Sequence, residues 1–229
     1  MKNTTLIKKI NKLSFFDTPT ICNGLEIIDS SFKLSGYTKE KFFCLYPKMK
    51  PIVGFAKTAK ISSVKNKRKE IKDMRIDYYQ YVNQTIHPKI SIINDVSNNP
   101  IGSFWGEVNS NIHLSLGCSG VITNGSVRDL DVIPKKFQML SKTLSPSHAE
   151  VMLLDFGNKI NIMGMEVNDG DLIHADVHGA VNIPLKYIDE LFSAIDHISK
   201  KEKIIIDSVK KKPFKFSHFK KQYLKANKL

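Results

Sequence analysis

The sequence predicts an α/β fold built as a single domain, on the basis of three observations. Short apolar runs bounded by turn residues, at residues 90 to 95 and 120 to 123, have the composition of buried strands. Between them, apolar residues recur at helical spacing as far as Gly117. The chain has 229 residues, of which 41% are hydrophobic, so it is long enough to bury one sizeable core.

Two helices are predicted before the first strand. Residues 6 to 13 place apolar side chains at helical spacing among lysines, as in an amphipathic surface helix. Asp17 followed by Pro19 resembles a helix cap with proline in the first turn, so a second helix begins there and runs to Ile28. Residues 29 to 50 have no clear period, and we expect an irregular connection.

A strand, a helix and a central strand follow. Residues 51 to 61 are rich in β-branched residues and largely alternate, which indicates a strand. The charged residues 65 to 72 are expected to form a solvated loop before a helix whose inner face carries Tyr78 and Val82. Residues 90 to 95 then form the central buried strand.

The second half of the chain is richer in short strands. A helix that contains Val108 stops at Gly117, and the next strand is expected to end at a glycine turn with charged residues just beyond it, where open α/β sheets place ligands. Residues 169 to 170 suggest a hairpin turn, and Pro184 begins an amphipathic helix. Further strands are expected at residues 137 to 140, 150 to 156, 172 to 176 and 180 to 183.

The positive charge of the chain is concentrated at one end. The net charge is +13, and residues 199 to 229 supply +9 of it, because they hold eleven lysines against Glu202 and Asp207. The remaining body is only mildly basic, so nucleic acid is not expected as a partner of the fold. We therefore divide the chain into a domain of residues 1 to 198 and a Lys-rich extension of residues 199 to 229. The extension packs on a neighbouring subunit or binds an anionic surface, and we favour the first alternative.

Composition also predicts the compartment. The three cysteines, Cys22, Cys44 and Cys118, are widely spaced and odd in number, which fits reduced thiols better than a disulfide framework or a zinc cluster. No apolar run approaches the roughly 18 residues of a membrane helix. The first residues lack the apolar core of a signal peptide. We expect a soluble cytoplasmic protein with no membrane partner.

Charged residues at fixed spacings beside glycines suggest a site for a small anionic substrate. Arg128 offers a planar fork that pairs with a carboxylate, and Asp129 can bind a hard divalent cation. Alone, this pair is more simply a surface arginine before a helix-capping aspartate. The flanks favour a site, because Gly125 allows close approach of a ligand and a helix and a strand return Glu107 to the neighbourhood of Arg128. Asp131 could join them from the following turn.

Other candidate residues receive a structural interpretation. His148, His174 and His178 match no compact pattern of zinc ligands, so structural or rim roles are favoured. Trp105 is expected in the core or in a pocket wall. Tyr79, like its neighbouring tyrosines, is expected to pack rather than to take part in chemistry.

Five stretches carry motifs that can be compared with known families. They are Trp105-Gly-Glu107, Gly117-x-x-Gly120, Thr123-Asn-Gly-Ser-Val-Arg-Asp-x-Asp131, Asp155-Phe-Gly157 and Gly170-Asp-Leu-Ile-His-Ala-Asp-Val-His-Gly-Ala-Val-x-Ile-Pro184. Together they closely resemble the RraA-like family, which includes 4-hydroxy-4-methyl-2-oxoglutarate aldolases, of the class II pyruvate aldolase type, and regulators of ribonuclease E. The most specific feature is a carboxylate followed, after twenty residues, by Arg-Asp. The resemblance implies a layered α/β/α or β/β/α fold of the swivelling-domain type, assembled as homotrimers or homohexamers with sites between subunits.

The resemblance also implies roles for the charged residues. Arg128 resembles the arginine that binds the pyruvate carboxylate, and Asp129 resembles the direct ligand of Mg²⁺ or Mn²⁺. Glu107 stands where the family has the acid that holds the ion through water, and Asp131 matches the last acidic residue of the motif. Catalysis is thus assigned to Arg128, Glu107 and Asp131. The substrate would also be cradled by the backbone of Gly106, Val108 and Asn109.

The implied function is that of a divalent-metal-dependent lyase for a small 2-oxo acid. It would cleave a carbon–carbon bond through a pyruvate enolate, by retro-aldol cleavage, by decarboxylation of oxaloacetate, or by both. In the ribonuclease regulators the residue after the arginine is not an aspartate, so Asp129 favours metal chemistry. The alternative is a non-catalytic regulator that binds an RNA-processing enzyme or RNA. Asn109 and Ser110 are more polar than the apolar pair expected in an aldolase of this family, which leaves the substrate open.

Overall fold

Helices and strands alternate along most of the chain. A computed structural model describes residues 2–63, 74–84 and 88–229, and the predicted loop over residues 65 to 72 lies outside them. The helices are α1 (Lys2–Leu13), α2 (Thr18–Ile28), α3 (Met74–Asn83), α4 (Glu107–Ser115), α5 (Ile188–Lys210) and α6 (Phe216–Ala226), with 3₁₀ turns at Ser30–Lys33 and Leu185–Tyr187. The strands are β1 (Phe43–Cys44), β2 (Ile52–Ser62), β3 (Lys89–Asp95), β4 (Ser103–Trp105), β5 (Cys118–Val127), β6 (Gln138–Leu144), β7 (Met152–Phe156), β8 (Ile160–Ile162), β9 (Met165–Val167), β10 (Leu172–Asp176) and β11 (Gly179–Ile183).

The centre of the fold is a parallel layer of four strands. β2, β3, β5 and β6 lie side by side and run in the same direction, which connections through helices allow. Antiparallel strands extend this layer on both sides, so that the order of the main sheet is β1-β6-β5-β3-β2-β10-β11. β4 pairs with β5, and β7 pairs with β2. The predicted α/β class and single domain are confirmed.

The two faces of the central layer are covered differently. Successive residues of a strand point to opposite faces, so Ile92 packs under β8 and β9, whereas Ile93 packs towards α3 and Trp105. The hairpin of β8 and β9 therefore covers one face, and α3 and α4 cover the other. Of the two layer arrangements that the resemblance implies, α/β/α and β/β/α, this is β/β/α.

A separate group of helices packs at the β10 and β11 end of the sheet. α1, α2 and the first half of α5 bury apolar side chains against those strands, among them Ile10, Leu25 and Leu191. The predicted cap of α2 is confirmed, because the backbone N–H of Thr20 donates to Asp17 Oδ1 at 2.8 Å. Asp17 lies at the N-cap and Pro19 in the first turn.

One predicted strand end and one predicted hairpin are wrong. β5 does not end before Gly125 but runs to Val127, and a shift of its register with β6 between Thr123 and Ser126 accommodates the glycine within the strand. The turn at residues 169 to 170 is present, but it connects β9 to β10 in another sheet. The hairpin of this region turns instead at residues 163 to 164, between β8 and β9.

The basic extension continues an existing helix. α5 runs without interruption across residues 198 and 199, so the change in composition falls inside one helix, and the division of the chain at that point stays a prediction. α6 folds back and packs against the second half of α5. In the described part of the chain, no helix has the length and apolar character needed to cross a membrane.

Candidate active site

A cavity of about 400 Å³ opens where α4 begins and β5 ends. Six of the residues proposed from the sequence lie in its wall, although they come from two separate segments. α3 and the loop before β7 complete it. The lining residues are Arg75, Tyr79, Ser103, Phe104, Gly106, Glu107, Val108, Asn109, Arg128, Asp129, His148, Ala149 and Val151.

The N-terminus of α4 faces this cavity, and its N-cap residue carries no side chain. Gly106 is that residue, so the helix lacks the N-cap hydrogen bond that Asp17 provides for α2. The backbone N–H of Glu107 donates to Asp129 Oδ2 at 3.2 Å. Val108 and Asn109 follow in the first turn, where backbone N–H groups have no partner within the helix. This helix end can therefore offer N–H groups to a negatively charged ligand.

Arg128 and Asp129 are held against that helix end by their backbone. The N–H of Arg128 donates to the carbonyl of Trp105 at 3.0 Å, which ties the end of β5 to β4. Asp129 adopts a left-handed conformation with φ of 59°, which is uncommon for residues other than glycine. Strained backbone of this kind clusters at functional sites. Its Oδ2 atom also lies 3.5 Å from Arg128 Nε, and both side chains are about a third exposed.

Gly106 is required by the close approach of Asp129. A Cβ atom at this position would lie 2.4 Å from Asp129 Oδ2 and 3.2 Å from the Arg128 side chain. Any larger residue would displace the carboxylate, the arginine or the start of α4. The glycine therefore allows the two charged side chains to meet the helix N-terminus.

Two hydrogen bonds hold the side chain of Asn109 in place at the cavity wall. Its Oδ1 accepts a hydrogen bond from the hydroxyl of Tyr79 at 2.7 Å, and its amide group donates to the carbonyl of Phe104. Tyr79 thus lies in the cavity wall and positions a residue of the first turn of α4. The expectation that Tyr79 only packs is incomplete, because periodicity locates a side chain on a helix face but does not show its distant partner.

A buried histidine supports the same turn. His113 is fully buried in α4, its Nδ1 donates to the carbonyl of Asn109 at 2.7 Å, and its Nε2 accepts from the hydroxyl of Tyr78 at 3.0 Å. The ring of Trp105, itself a core residue, lies beside it with 4.5 Å between ring centroids and a tilt of 55° between the planes. Burial lowers the pKa of His113 to about 4, so the ring is neutral at pH 7.

The loop before β7 forms the opposite wall. The N–H of Ser103 donates to the carbonyl of Ser147 at 2.8 Å, and a Cβ at Gly102 would lie 2.5 Å from the carbonyl of His148. Ala149 follows with a left-handed φ of 46°. These contacts fix His148 and Ala149 at the cavity, so the predicted rim position of His148 agrees with the structure.

Some predicted residues lie elsewhere, and others were missed. Asp131 is exposed and is not part of the cavity wall. His174 is buried beneath α2, where its Nδ1 lies 3.0 Å from the hydroxyl of Thr18. Sequence reasoning did not find Arg75, whose guanidinium lies over the ring of Phe104 with 5.5 Å between its Cζ and the centroid. α3 is distant in sequence from the motif, so no local pattern connects the two.

The donor set suits a hard divalent cation held by few protein ligands. In the described residues, no group of three or more His, Cys, Asp or Glu side chains could hold a metal ion. Glu107 and Asp129 both line the cavity, and Asp129 uses Oδ2 for its contacts with Glu107 and Arg128. Mg²⁺ commonly binds through one or two carboxylates and keeps several waters. These two acids are compatible with that mode.

Comparison with known families and proteins gives a consistent result. A family model described as RraA-like, Aldolase/RraA, matches residues 18–182, a range that includes the whole cavity wall and ends before α5. An uncharacterized protein of Methanocaldococcus jannaschii, MJ0644, is 29% identical over 107 residues. That match covers 46% of this chain and 51% of the relative, so the chain spans about half the length of the curated relative that it matches.

Solved structures resemble the chain over most of its length. An uncharacterized protein from Pseudomonas syringae superposes with a TM-score of 0.69 at 19% identity, covering 89% of this chain and 88% of the other. RraAS2 from Streptomyces coelicolor, described as an unusual member of the RNase ES inhibitor RraA family, gives 0.67 at 16% identity, covering 85% and 94%. At such identities the likeness concerns the fold alone.

Proposed function

The chain belongs to the RraA-like family, and from this premise we propose that it is a divalent-metal-dependent lyase that cleaves a carbon–carbon bond of a small 2-oxo acid. The family contains both enzymes of this type and regulators of ribonuclease, so membership alone does not decide between them. One observation carries the proposal. Arg128, Asp129 and the N-terminus of α4 meet at one cavity.

Arg128 supplies the recognition of the substrate. Its guanidinium pairs with the carboxylate of the 2-oxo acid, since arginine presents several N–H donors in a plane that matches a carboxylate. The N–H groups of the first turn of α4 favour negative charge on the same molecule. Two independent sources of positive potential therefore orient one small anion in the cavity.

Asp129 would hold the divalent ion, and Glu107 would hold it through water. When bound, the ion supplies positive charge next to the oxygen that becomes negative as the carbon–carbon bond breaks. Asp129 serves this purpose because its position is fixed by the N–H of Glu107 and by its left-handed backbone. Its aspartate side chain also distinguishes the chain from the regulators that the sequence resembles.

Glu107 is the residue proposed as the general base. In retro-aldol cleavage its carboxylate oxygen would accept the proton of the substrate hydroxyl, directly or through one water, as the bond between the two fragments breaks. Decarboxylation of oxaloacetate yields the same pyruvate enolate and needs only a proton returned to carbon. Both reactions are therefore proposed for one site.

An assay of pyruvate release tests the proposal. Purified protein with Mg²⁺ or Mn²⁺ is offered oxaloacetate or 4-hydroxy-4-methyl-2-oxoglutarate, and product is followed by a coupled dehydrogenase. We expect Asp129→Ala to abolish metal-dependent turnover and Arg128→Ala to raise KM by about a hundredfold, the scale of a lost charge-assisted pair. Asp189→Ala, an exposed aspartate in α5, is the matched control. Absence of turnover on both substrates, or full turnover in Asp129→Ala, would contradict the proposal.

We further propose that the protein is a homotrimer or homohexamer, as the resemblance implies. Sedimentation equilibrium on the purified chain measures the mass directly. A monomer at micromolar concentration would reject this part, whereas the site itself is tested by the pyruvate assay.

A further inference from the structure

The α5–α6 hairpin, which we define as residues 199 to 229, lies outside the range matched by the family model. It nevertheless has an ordered surface of its own. α6 packs against α5 with Ala226 and Ser208 buried between them. The rest of the hairpin is mostly exposed and holds eleven lysines against two acids. We propose that this surface binds single-stranded nucleic acid, through a basic hollow for the phosphate backbone and exposed aromatic rings for the bases.

The hollow lies at the bend between the two helices. It has a volume of about 220 Å³ and is lined by Ser208, Lys211, Lys212, Pro213, Lys215 and His218. No carboxylate contributes to its wall. A water molecule takes about 30 Å³ of liquid volume, so the hollow can hold a phosphate group with part of its hydration shell. Three of the lining residues are lysines, and their positive charge favours an anion.

The aromatic rings are beside the hollow. Phe219 contacts Phe214, Phe216 and Tyr223, with ring centroids 6.3, 5.9 and 5.7 Å apart. Phe214, Phe216 and Tyr223 are 50%, 66% and 45% exposed, although apolar groups of this size are costly to leave in water. Aromatic faces that stack successive bases, set along a basic groove, are the usual means of binding single strands without sequence preference.

Two other occupants fit the surface less well. A helix that lies on a membrane inserts its apolar side chains past the headgroups, whereas Phe219, at the centre of the row of Phe216, Phe219 and Tyr223, is only partly exposed. In a second copy of the chain the hairpin carries +9 and the body +4 of the net charge of +13, so neither offers the excess of negative charge that eleven lysines would pair with. A flexible polyanion with planar bases satisfies both the lysines and the rings.

The inference changes two expectations from the sequence. Packing of the extension on a neighbouring subunit was favoured there over binding of an anionic surface, and the inference reverses that preference. Nucleic acid was not expected because the body of the protein is only mildly basic, and that remains so for the fold. The hairpin is a separate surface, whose rings and hollow become adjacent only because α6 folds back on α5. It does not depend on the lyase proposal.

Binding is measured on the full chain by fluorescence anisotropy with labelled oligo(dT) and oligo(U). We expect the double variant Phe216→Ala/Tyr223→Ala to bind about tenfold or more weakly with an unchanged salt dependence, since stacking contributes about 1–3 kcal/mol per base. Phe216→Tyr/Tyr223→Phe keeps both rings and should bind as the unmodified chain does. Circular dichroism verifies that each variant keeps its helices.

The hollow is tested separately by its charge. Lys211→Gln/Lys212→Gln/Lys215→Gln should weaken binding and reduce the slope of log K against log salt by about 2, because each phosphate contact contributes about 0.7 for a single strand. A control triple variant, Lys8→Gln/Lys12→Gln/Lys48→Gln, removes the same charge from exposed positions of the body and should change the slope far less.

Several results would overturn the inference. They are an absence of oligonucleotide binding at 50 mM salt, equal loss in the two triple variants, and no effect of removing both rings. Tighter binding to phosphatidylserine vesicles than to either oligonucleotide would assign the hairpin to a membrane surface instead. A concentration-dependent dimer that the Phe216→Ala/Tyr223→Ala variant abolishes would assign it to a second copy of the chain.

Discussion

The N-termini of α2 and α4 differ in their N-cap residue and in what they face. Asp17 caps α2, and buried Asp176 accepts the N–H of Thr18 at 2.8 Å, so carboxylates of the protein itself satisfy that helix end. At α4 the N-cap is Gly106, which has no side chain; Asp129 Oδ2 accepts the N–H of Glu107 at 3.2 Å, and the first turn faces a cavity. The start of α2 has an N-cap side chain, Asp17, whereas the start of α4 has none and faces a cavity, so its first turn is accessible to a ligand.

The largest effect on activity is expected at Gly106, where the start of α4 and the side chain of Asp129 lie closest together. Gly106→Ala places a methyl group 2.4 Å from Asp129 Oδ2, so the carboxylate or the helix must move. Misplacement of a reacting group by about 1 Å can cost a hundredfold in rate. We expect pyruvate release to fall by about that factor while the thermal unfolding temperature changes by only a few degrees. Activity near that of the unmodified protein would show that the glycine is not needed for the close approach of Asp129 to α4.

Buried His113, which supports the first turn of α4, should make the stability of the folded protein depend on pH. The pKa of His113 is about 4 in the folded protein against an ordinary value of 6.5, so between these values the unfolded chain takes up a proton that the folded one does not. Stability is therefore lost as pH falls from about 6.5 to 4, by at most about 3 kcal/mol from this group.

Urea unfolding at pH 7.5, 6.0 and 5.0 measures this loss. His113→Gln should be the less stable protein at pH 7.5, and its deficit should shrink on acidification because the titrating group is gone. Buried His174, whose pKa burial also lowers, titrates in both proteins and does not affect the difference between them. His197→Gln, at an exposed position of α5, is the control. Parallel curves for His113→Gln and the unmodified chain would rule out this origin.

A smaller effect, on stability, is expected at the N-terminus of α2. Asp17→Ala removes the cap that accepts the N–H of Thr20 and should lower the free energy of unfolding by about 1 kcal/mol. The kcat and KM of the lyase reaction should stay unchanged, since α2 is not part of the cavity wall. Chemical denaturation and the pyruvate assay are run side by side. A change in KM without a change in stability would show that the N-terminus of α2 serves ligand binding and not the stability of the fold.

The smallest effect is expected from the hydroxyl of Tyr79. Tyr79→Phe keeps the ring but loses the hydrogen bond to Asn109 Oδ1, a contribution of about 1 kcal/mol or less. We expect KM to rise about threefold with kcat and stability nearly unchanged. Isothermal titration with oxalate, a small planar dianion, reports the same loss without turnover. An equal fall in kcat would indicate a direct part in chemistry rather than positioning of α4.

Sequence patterns predict this fold better than they predict the walls of the site. Buried strands such as β3 and the cap of α2 are local, so composition and spacing identify them. The motif likewise predicts that Glu107 and Arg128 converge, because one helix and one strand connect them. Tyr79 and Arg75 join the cavity through packing of α3 against α4, and this depends on contacts between distant segments. The continuation of β5 through Gly125 was missed because a shift of register can accommodate a glycine within a strand.

The position of β2 has a consequence for how the protein is made. One edge of β2 pairs with β3, but part of its other edge pairs with β10, which is synthesised about 110 residues later. At about 5–20 residues per second, a ribosome needs roughly 5–20 s to supply that partner. During this interval an apolar strand at the centre of the future sheet has an unpaired edge. We expect the nascent chain to depend on a chaperone in this window more than the finished protein does.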